Sequence, residues 1–272
     1  MNTGRPQVMG IVNVTPDSFS DGGRFIDRDA AVAHGRRLIA EGATILDIGG
    51  ESTRPGAEPV SAVEEIDRVA PVIEALAGAS AVLSVDTMKP AVARAAVAAG
   101  ARAWNDVTAL RWSPDSLATA AELGCDIVLM HMLGEPRTMQ RSPRYRNVTR
   151  EVAGFLGLRA QAAIDAGVNP ARIWVDPGIG FGKTLAHNLR LLGELDQIVA
   201  LGFPVVLGAS RKSFIRKLDP TAEEAGDRLG GSLAAALAGA DAGVAAVRVH
   251  DVRETVQALA MRAAIRQARG HD

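Results

Sequence analysis

The sequence predicts an α/β fold, a (β/α)8 TIM barrel formed by a single domain over residues 1–272. Three observations predict it. Eight short apolar runs, rich in β-branched residues, recur along the chain, and a helix-length amphipathic segment follows each run. Such runs are typical of parallel strands buried on both faces, and their alternation with helices indicates successive βαβ units. The 272 residues are also close to the roughly 250 that one such barrel occupies.

The predicted strands lie at residues 8–14, 44–48, 81–85, 103–104, 127–130, 173–175, 205–207 and 245–249. The alternative is an open, doubly wound sheet, for which eight strands would be many. No G-x-G-x-x-G sequence follows any of the runs, which excludes the dinucleotide-binding version of that sheet. Nothing in the composition marks a linker, so we expect one domain.

Helix boundaries are also visible between the strands. Ser61-Ala-Val-Glu64 has the form of a capping box, so we expect a helix to begin there. Ser113-Pro114 predicts another helix start, with the serine as cap and the proline at the first helical position. Residues 91–100 and 232–239 are predicted to be alanine-rich helices that each end at a glycine.

Composition excludes several classes of protein. The formal net charge is −1 and aromatic residues make up 4% of the chain, so neither a nucleic acid nor a membrane surface is an expected partner. The sequence has no run of about 18 apolar residues and no signal-peptide core, so we expect neither membrane spanning nor secretion. The single cysteine, Cys125, excludes an intramolecular disulfide and a cysteine-rich zinc site, and it fits the reducing cytoplasm.

Polar side chains cluster at the predicted carboxyl ends of the strands, where the active site of such a barrel forms. An Asp or Asn at such a position is often only a helix cap or a turn residue, but a set this dense exceeds what folding requires. The set comprises Asn13, Asp47, Glu51, Asp86, Asn105, Asp106, His131, Asp176, Ser210, Arg211, Lys212, Arg248 and His250.

Two other features suggest function. The longest irregular segments are residues 14–25 and 49–61, and loops of this length in compact barrels are usually lids, although a surface excursion is the alternative. Arg54 in the second loop would surround an anion together with Lys212 and Arg248.

Lysine is rare among the 30 basic residues, so each lysine is a candidate for a role that needs lysine, with chance as the alternative; the four are Lys89, Lys183, Lys212 and Lys217.

Eight ordered blocks of the sequence resemble the dihydropteroate synthase family of folate biosynthesis, and they extend over essentially the whole chain. The blocks are MGIVNVTPDSFSDGG (9–23), LDIGGESTRPGA (46–57), SVDT (84–87), NDV (105–107), LMHM (129–132), DPGIGFGKT (176–184), GASRKSF (208–214) and RVHDV (248–252). The resemblance implies that 7,8-dihydropterin-6-ylmethyl diphosphate and 4-aminobenzoate react to give 7,8-dihydropteroate and pyrophosphate. It also implies a cytoplasmic homodimer, built from the late helices, and a target of sulfonamides.

The resemblance also implies a role for each site residue. The pterin would be bound by Asp86, Asn105, Met130, Asp176 and Lys212. The diphosphate would be bound by Thr53, Arg248 and His250, with Mg2+ as cofactor on Asn13. The aminobenzoate would be bound by Phe19, Arg54, Pro55, Phe181 and Ser210. Asp21, Arg54 and Lys212 would be catalytic, whereas Cys125 is expected in the core because a dissociative displacement needs no nucleophilic side chain.

Two alternatives remain beside this assignment. The related pterin-binding methyltransferase barrel shares the acids and the amide but needs no diphosphate site, which this chain retains. A non-catalytic homologue should have lost part of the lid or metal set, and none is lost. The departures from the family pattern, Leu133 and the hard-to-align residues 219–231, affect no residue assigned to chemistry.

Overall fold

The predicted (β/α)8 TIM barrel is confirmed by a computed structural model, which describes residues 5–14, 24–52, 58–134 and 138–269. Strands and helices alternate through the described chain as the sequence predicted. The strands are β1 Gln7–Asn13, β2 Ile45–Gly49, β3 Val82–Asp86, β4 Ala103–Asp106, β5 Asp126–Met130, β6 Ile173–Asp176, β7 Val206–Leu207 and β8 Ala246–Val249.

The strands form one parallel sheet that curls into a barrel. Its order is β6-β5-β4-β3-β2-β1-β8-β7, so each strand from β1 to β5 pairs with its successor, β7 pairs with β8, and β8 pairs with β1. β6 and β7 meet through a single bridge between Val175 and Val205, with a hydrogen bond of 2.9 Å from Val175 N to Pro204 O. This bridge closes the barrel at its weakest seam.

The helices pack around the barrel. They are α1 Arg24–Ala40, α2 Ala62–Leu76, α3 Pro90–Ala98, α4 Ser116–Leu123, α5 Val148–Asp165, α6 Leu185–Gly193, α7 Leu195–Val199, α8 Ser213–Arg216, α9 Leu229–Ala242 and α10 Val252–Arg269. Each helix in the described part of the chain is too short or too polar to span a bilayer.

Several strands continue beyond their predicted ends, into the polar residues. β4 was predicted over residues 103–104 but reaches Asp106, and β3 and β6 each run one residue further, to Asp86 and Asp176. Backbone pairing explains the extension, because Asp86 faces Asn105 and Met130 faces Asp176 in the ladders. Hydrogen bonding therefore holds these polar residues on the strands themselves.

The Ser61 cap is confirmed and the Ser113 cap is wrong. Ser61 Oγ accepts a hydrogen bond of 3.2 Å from Glu64 N at the start of α2. The Ser113 hydroxyl instead accepts from Asp115 N at 3.3 Å, within a turn that precedes α4. α4 begins at Ser116, so Pro114 lies before the helix rather than at its first position.

The predicted end of the late alanine-rich helix at Gly239 is also wrong. α9 continues to Ala242 and is followed by Gly243, whose φ of 89° is left-handed. Gly239 has another purpose, because a Cβ at this position would lie 2.5 Å from Leu207 Cδ2. Its missing side chain allows α9 to approach β7 closely.

An apolar layer fills the lower interior of the barrel. Since strand residues alternate between the two faces, the residues two positions further along each strand also point inward. That next layer contains Asp47, Met130, Asp176 and Arg248, so the apolar layer is the floor of the candidate site. The floor consists of Met9, Ile45, Val128, Val206 and Ala246, with Trp174 packed against them.

Candidate active site

A buried carboxylate organises the centre of the barrel mouth. Asp47 is 0% exposed and accepts hydrogen bonds from Ser84 Oγ at 2.6 Å and Asn105 Nδ2 at 2.8 Å. Arg248 donates through Nε to Asp47 at 2.6 Å and through Nη2 to Asp86 at 2.7 Å. Four strands, β2, β3, β4 and β8, thus place their inward side chains in one hydrogen-bonded network.

Asp86 has an unusual affinity for protons in this network. Burial, helped by the nearby Asp47 carboxylate, raises the pKa of Asp86 to about 7, although the Arg248 guanidinium opposes the shift. Asp86 therefore changes its protonation near neutral pH. Shifted pKa values of this kind are common among groups at functional sites.

A second group lies at the ends of β6 and β7. Asp176 Oδ1 accepts from Gly178 N at 2.7 Å. Lys212 Nζ donates to the carbonyl of Ile179 and lies 4.6 Å from the centre of the Phe181 ring. Burial lowers the pKa of Lys212 to about 8, although the Asp176 carboxylate opposes the shift. The lysine therefore presents its ammonium on an aromatic surface, across from an acid.

Ser210 and His250 form a third group, which joins the loop after β7 to the end of β8. Ser210 Oγ lies 3.0 Å from His250 Nδ1 and accepts from His250 N at 3.2 Å. Arg211, between Ser210 and Lys212, has a φ of 58° and pairs with Asp251 through Nε at 3.0 Å. Such a φ is rare for a residue other than glycine, and the Asp251 contact stabilises the strained turn. The sequence did not predict this turn.

Met130 contributes the apolar part of the mouth. It is 4% exposed and belongs to a cluster near the second group, into which the Phe181 ring packs. The other members are Met88, Val107, Met132 and Met139. Methionine side chains adapt to the shape of a flat ligand, so this cluster suits an aromatic ring system.

Asp106 and Glu51 support the structure around the site. Asp106 accepts from Thr108 N at 2.7 Å and from Leu110 N at 2.9 Å, so it shapes the turn after β4. Glu51 pairs with Lys89 Nζ at 2.6 Å. The contacts of Asp106 are those of the turn residue that the sequence analysis gave as the alternative, and Glu51 forms an ion pair.

Lys89 also pairs with Glu65 of α2 at 2.5 Å, although Glu65 is 0% exposed. Burial raises the pKa of Glu65, and the Lys89 ammonium opposes that shift. Because Lys89 pairs with both Glu51 and Glu65, it connects the start of the loop after β2 to α2. Sequence reasoning selected Lys89 only as one of the four lysines.

Asn13 is the candidate magnesium ligand and lies half-buried at the end of β1. Within the described ranges, no other residue hydrogen-bonds to its side-chain amide. The same ranges contain no group of three His, Cys, Asp or Glu that could hold a metal. One free amide oxygen fits Mg2+, which accepts oxygen ligands and keeps several waters.

The remaining candidates cannot be placed in this way. Five predicted residues lie outside the described part of the chain: Phe19, Asp21, Thr53, Arg54 and Pro55. Among the described candidates, Asp86, Asn105 and Arg248 share one network, and Asp176, Phe181 and Lys212 form the group beside it. Asp47 was noted on the rim but received no role, although strand alternation from Ile45 would have turned it inward.

Residues 9–250, which include the barrel and its acid and amide network, match the family model described as pterin binding enzyme. The chain is therefore a member of the pterin-binding enzymes. Dihydropteroate synthase of Escherichia coli K12 is 46% identical over 260 residues, covering 95% of this chain and 91% of the relative. The chain therefore belongs to the dihydropteroate synthase family, as the sequence blocks predicted.

Solved structures agree with this membership. Xanthomonas albilineans dihydropteroate synthase with 4-aminobenzoic acid superposes with a TM-score of 0.91 at 52% identity, covering 97% of this chain and 94% of the other. Yersinia pestis dihydropteroate synthase in a sulfonamide drug complex superposes with a TM-score of 0.91 at 45% identity, with 98% and 96% covered.

Proposed function

We propose that this chain transfers the pterin-methyl group of 7,8-dihydropterin-6-ylmethyl diphosphate to the amine of 4-aminobenzoate. The bond between the methylene carbon and the diphosphate oxygen breaks, the carbon–nitrogen bond forms, and the amine loses a proton. The products are 7,8-dihydropteroate and pyrophosphate. The observation that carries the proposal is the hydrogen-bonded set of acids, amide and guanidinium around the buried Asp47, directly above the apolar floor.

The pterin would lie between the two polar groups of the mouth. Its edge presents N–H donors beside a carbonyl, so carboxylate and amide oxygens from Asp86, Asn105 and Asp176 suit it. Lys212 would donate to the acceptor edge of the ring, and Met130 would provide an apolar wall. Burying such donors unpaired costs roughly 1–3 kcal/mol each, which favours this ligand over a merely apolar one.

The diphosphate would lie on the β8 side of the mouth. Arg248 binds its two carboxylates through Nε and Nη2, and Nη1 donates to no residue in the described part of the chain. Those remaining N–H groups are available to phosphate oxygens, which guanidinium binds well. His250 and Thr53 would add donors. A Mg2+ on Asn13 would neutralise charge on the departing diphosphate.

The aminobenzoate would enter last, over the pterin. Phe181 and Ser210 would contact its ring and carboxylate, together with Phe19, Arg54 and Pro55. Asp21, Arg54 and Lys212 complete the proposed catalytic set. No protein nucleophile is needed, because the electron-rich dihydropterin stabilises a cationic methylene while the leaving group departs. Exclusion of water then protects this carbon from hydrolysis.

Pyrophosphate release tests the proposal. Purified protein with Mg2+ and both substrates should release pyrophosphate, and the amount should match the 7,8-dihydropteroate formed. Methyl transfer from methyltetrahydrofolate to a corrinoid would instead identify the methyltransferase alternative. Binding of a pterin without turnover of either kind would identify a non-catalytic homologue.

The pH profile of kcat/KM for the pterin diphosphate should be a narrow bell. Burial raises the pKa of Asp86 to about 7, so acid removes its charge and turns one of its acceptor oxygens into a donor. Burial lowers the pKa of Lys212 to about 8, so base removes its charge. Activity should therefore peak between these values. Steady-state rates across the pH range check this expectation. Asp86→Asn should lose the acidic limb and keep the basic one; an unchanged acidic limb would assign that limb to the substrate.

Asn13→Ala should lower kcat several-fold at limiting Mg2+, and added Mg2+ should restore part of the activity. A single amide oxygen among water and phosphate ligands positions the metal without holding it alone. Titrating Mg2+ against initial rate in both proteins measures the effect. Wild-type activity that persists in excess chelator would contradict the metal assignment.

A p-aminobenzenesulfonamide should inhibit competitively against 4-aminobenzoate. It copies the aniline and the ring length, and the Yersinia pestis relative was solved with a sulfonamide drug. Inhibition should strengthen when pyrophosphate or the pterin substrate is already bound, and the drug should be consumed slowly because its aniline is intact. Steady-state kinetics with varied aminobenzoate decides the matter. Inhibition that saturating aminobenzoate leaves unrelieved would place the drug elsewhere.

We also propose a homodimer formed through the late helices, in the cytoplasm. α10 leaves two large apolar side chains in solvent, with Met261 62% and Ile265 49% exposed. Cys125 is a buried free thiol, as expected for a protein in a reducing compartment. Sedimentation of Met261→Lys beside the parent protein tests the interface.

A further inference from the structure

Lys183 is buried among neutral acceptors, and the chemistry proposed above does not use it. The residue is 2% exposed, yet it forms no ion pair within the described part of the chain, where Asp176 acts on it only from a distance. Its Nζ lies 2.8 Å from Gly178 O, 3.0 Å from Phe181 O and 2.9 Å from His131 Nδ1. A fourth and longer contact of 3.4 Å joins Nζ to His131 O, while the three shorter contacts match the three N–H bonds of an ammonium group. Charge is rarely buried in this way without a purpose.

His131 provides one of these acceptors as a neutral imidazole. Burial, helped by the nearby Lys183 charge, lowers the pKa of His131 to about 3. The uncharged ring therefore accepts a hydrogen bond from the Lys183 ammonium at Nδ1. Phe155 of α5 packs edge-on against the same ring, with centroids 4.9 Å apart, and fixes its orientation.

The loop that Lys183 holds is pressed against the end of β5. Gly178 and Gly182 have φ values of 65° and 62°. A Cβ would lie 1.9 Å from His131 O at Gly178 and 2.5 Å from Leu133 O at Gly182. Glycine is thus required at both positions, and these close contacts fix how the loop packs against the backbone that follows β5.

The same loop touches the pterin end of the proposed site at three points. Gly178 N donates to Asp176 at 2.7 Å, the carbonyl of Ile179 accepts from Lys212, and the Phe181 ring lies 4.6 Å below the Lys212 ammonium. The two carbonyls that Lys183 binds, those of Gly178 and Phe181, lie on either side of Ile179.

We propose that Lys183 is a positioning residue, whose ammonium holds the loop after β6 so that Ile179 O and the Phe181 ring fix Lys212 for the pterin. The part that concerns substrate rests on the proposed function. The part that concerns the position of Lys212 does not, because it is a property of the protein without ligand.

The charged groups around both lysines determine how the proposal can be tested. Lys183 faces Asp176 and Lys212, with His131 and His187 as titratable neighbours, and burial followed by the Lys212 charge lowers its pKa. Lys212 faces Asp176 of β6, Asp86 of β3 and Arg248 of β8. Removal of the Lys183 charge, or entry of water, should therefore raise the pKa of Lys212.

Two neutral variants separate the hydrogen bonds of Lys183 from its charge. Lys183→Met and Lys183→Gln both lose the charge at similar volume, but glutamine keeps two N–H donors for the carbonyls. Lys217→Met is the matched control, since Lys217 is exposed. The chain has four lysines, namely Lys89, Lys183, Lys212 and Lys217, so 13Cε-lysine NMR gives few signals and each is assignable.

The methionine variant should shift the titration midpoint of Lys212 upward from about 8, and the glutamine variant should shift it less. Calorimetry should show a pterin diphosphate Kd about tenfold weaker in Lys183→Met, with a smaller loss in Lys183→Gln. The loss in steady-state rate should appear in KM for the pterin rather than in kcat. Lys217→Met should match the parent protein in each measurement.

Three outcomes would overturn the proposal. Equal effects of methionine and glutamine would mean that charge alone matters, and a Lys212 midpoint unchanged in folded Lys183→Met would mean that the loop does not position it. Failure of both variants to fold would assign Lys183 to the fold as a whole. Because the midpoint is measured without substrate, a parent protein that fails to bind the pterin would overturn the proposed function and leave this test intact.

Discussion

Lys212→Met should lower kcat/KM for the pterin diphosphate roughly 100-fold or more while leaving the protein folded. The variant removes a half-buried ammonium opposite Asp176 and leaves the Ile179 carbonyl without its donor. Truncating one partner of a buried charged contact commonly costs a few kcal/mol, which corresponds to this factor. Steady-state kinetics on folded protein, with calorimetric binding of the pterin diphosphate, measures the loss.

Lys217→Met serves as the control for this variant also, because it makes the same change on the exposed end of the same segment. Its rate should stay within about twofold of the parent, as is usual for surface substitutions. Lys212→Arg should recover little, since a guanidinium differs from an ammonium in shape and donor geometry. A Lys212→Met protein with unchanged pterin affinity would refute the pterin role of Lys212.

Asp47→Ala should lower the free energy of unfolding by about 3–5 kcal/mol and abolish activity in whatever folded protein remains. Asp47 is 0% exposed, and its loss would leave Arg248 Nε, Ser84 Oγ and Asn105 Nδ2 without their acceptor. Arg248 keeps only Asp86 as a partner, so the lost Nε contact of its guanidinium dominates this cost. Urea unfolding followed by circular dichroism gives the free energy.

Asp241→Ala is the matched control for the stability change. Asp241 also pairs with an arginine, Arg262, at 2.8 Å, but its side chain is 65% exposed. Exposed pairs contribute about 0–1 kcal/mol, so this variant should unfold close to the parent. Equal unfolding midpoints for Asp47→Ala and Asp241→Ala would show that the network around Asp47 contributes nothing to the fold.

Hydrophobic runs predicted the barrel well, because each buried parallel strand must be apolar on both faces. The errors occur where another physical term decides the boundary. β4 extends to Asp106 because ladder pairing continues through polar residues, and α9 passes Gly239 because that glycine permits close packing rather than ending a helix. Ser113 has the residue type of a cap, but its hydroxyl is used two residues later, in a turn.

The site was predictable as a set of residue types at strand ends but not as a set of contacts. Arg248 was assigned to the diphosphate, and its pairing with Asp47 joins residues 201 positions apart, which only strand order and register decide. The unusual environment of Lys183 was likewise invisible, because it depends on backbone carbonyls that a loop conformation brings together. Its rarity as a lysine was the only available signal.

The single bridge between β6 and β7 has a consequence for how ligand binding and barrel closure are linked. Asp176 follows one side of this seam and Lys212 the other, and the contact from Lys212 to Ile179 crosses it above the bridge. A pterin held by both residues would act as an additional rung where the backbone ladder is thinnest. A ligand that binds more tightly when the seam is closed stabilises the closed seam by the same free energy, so the seam should open less often when the pterin is bound.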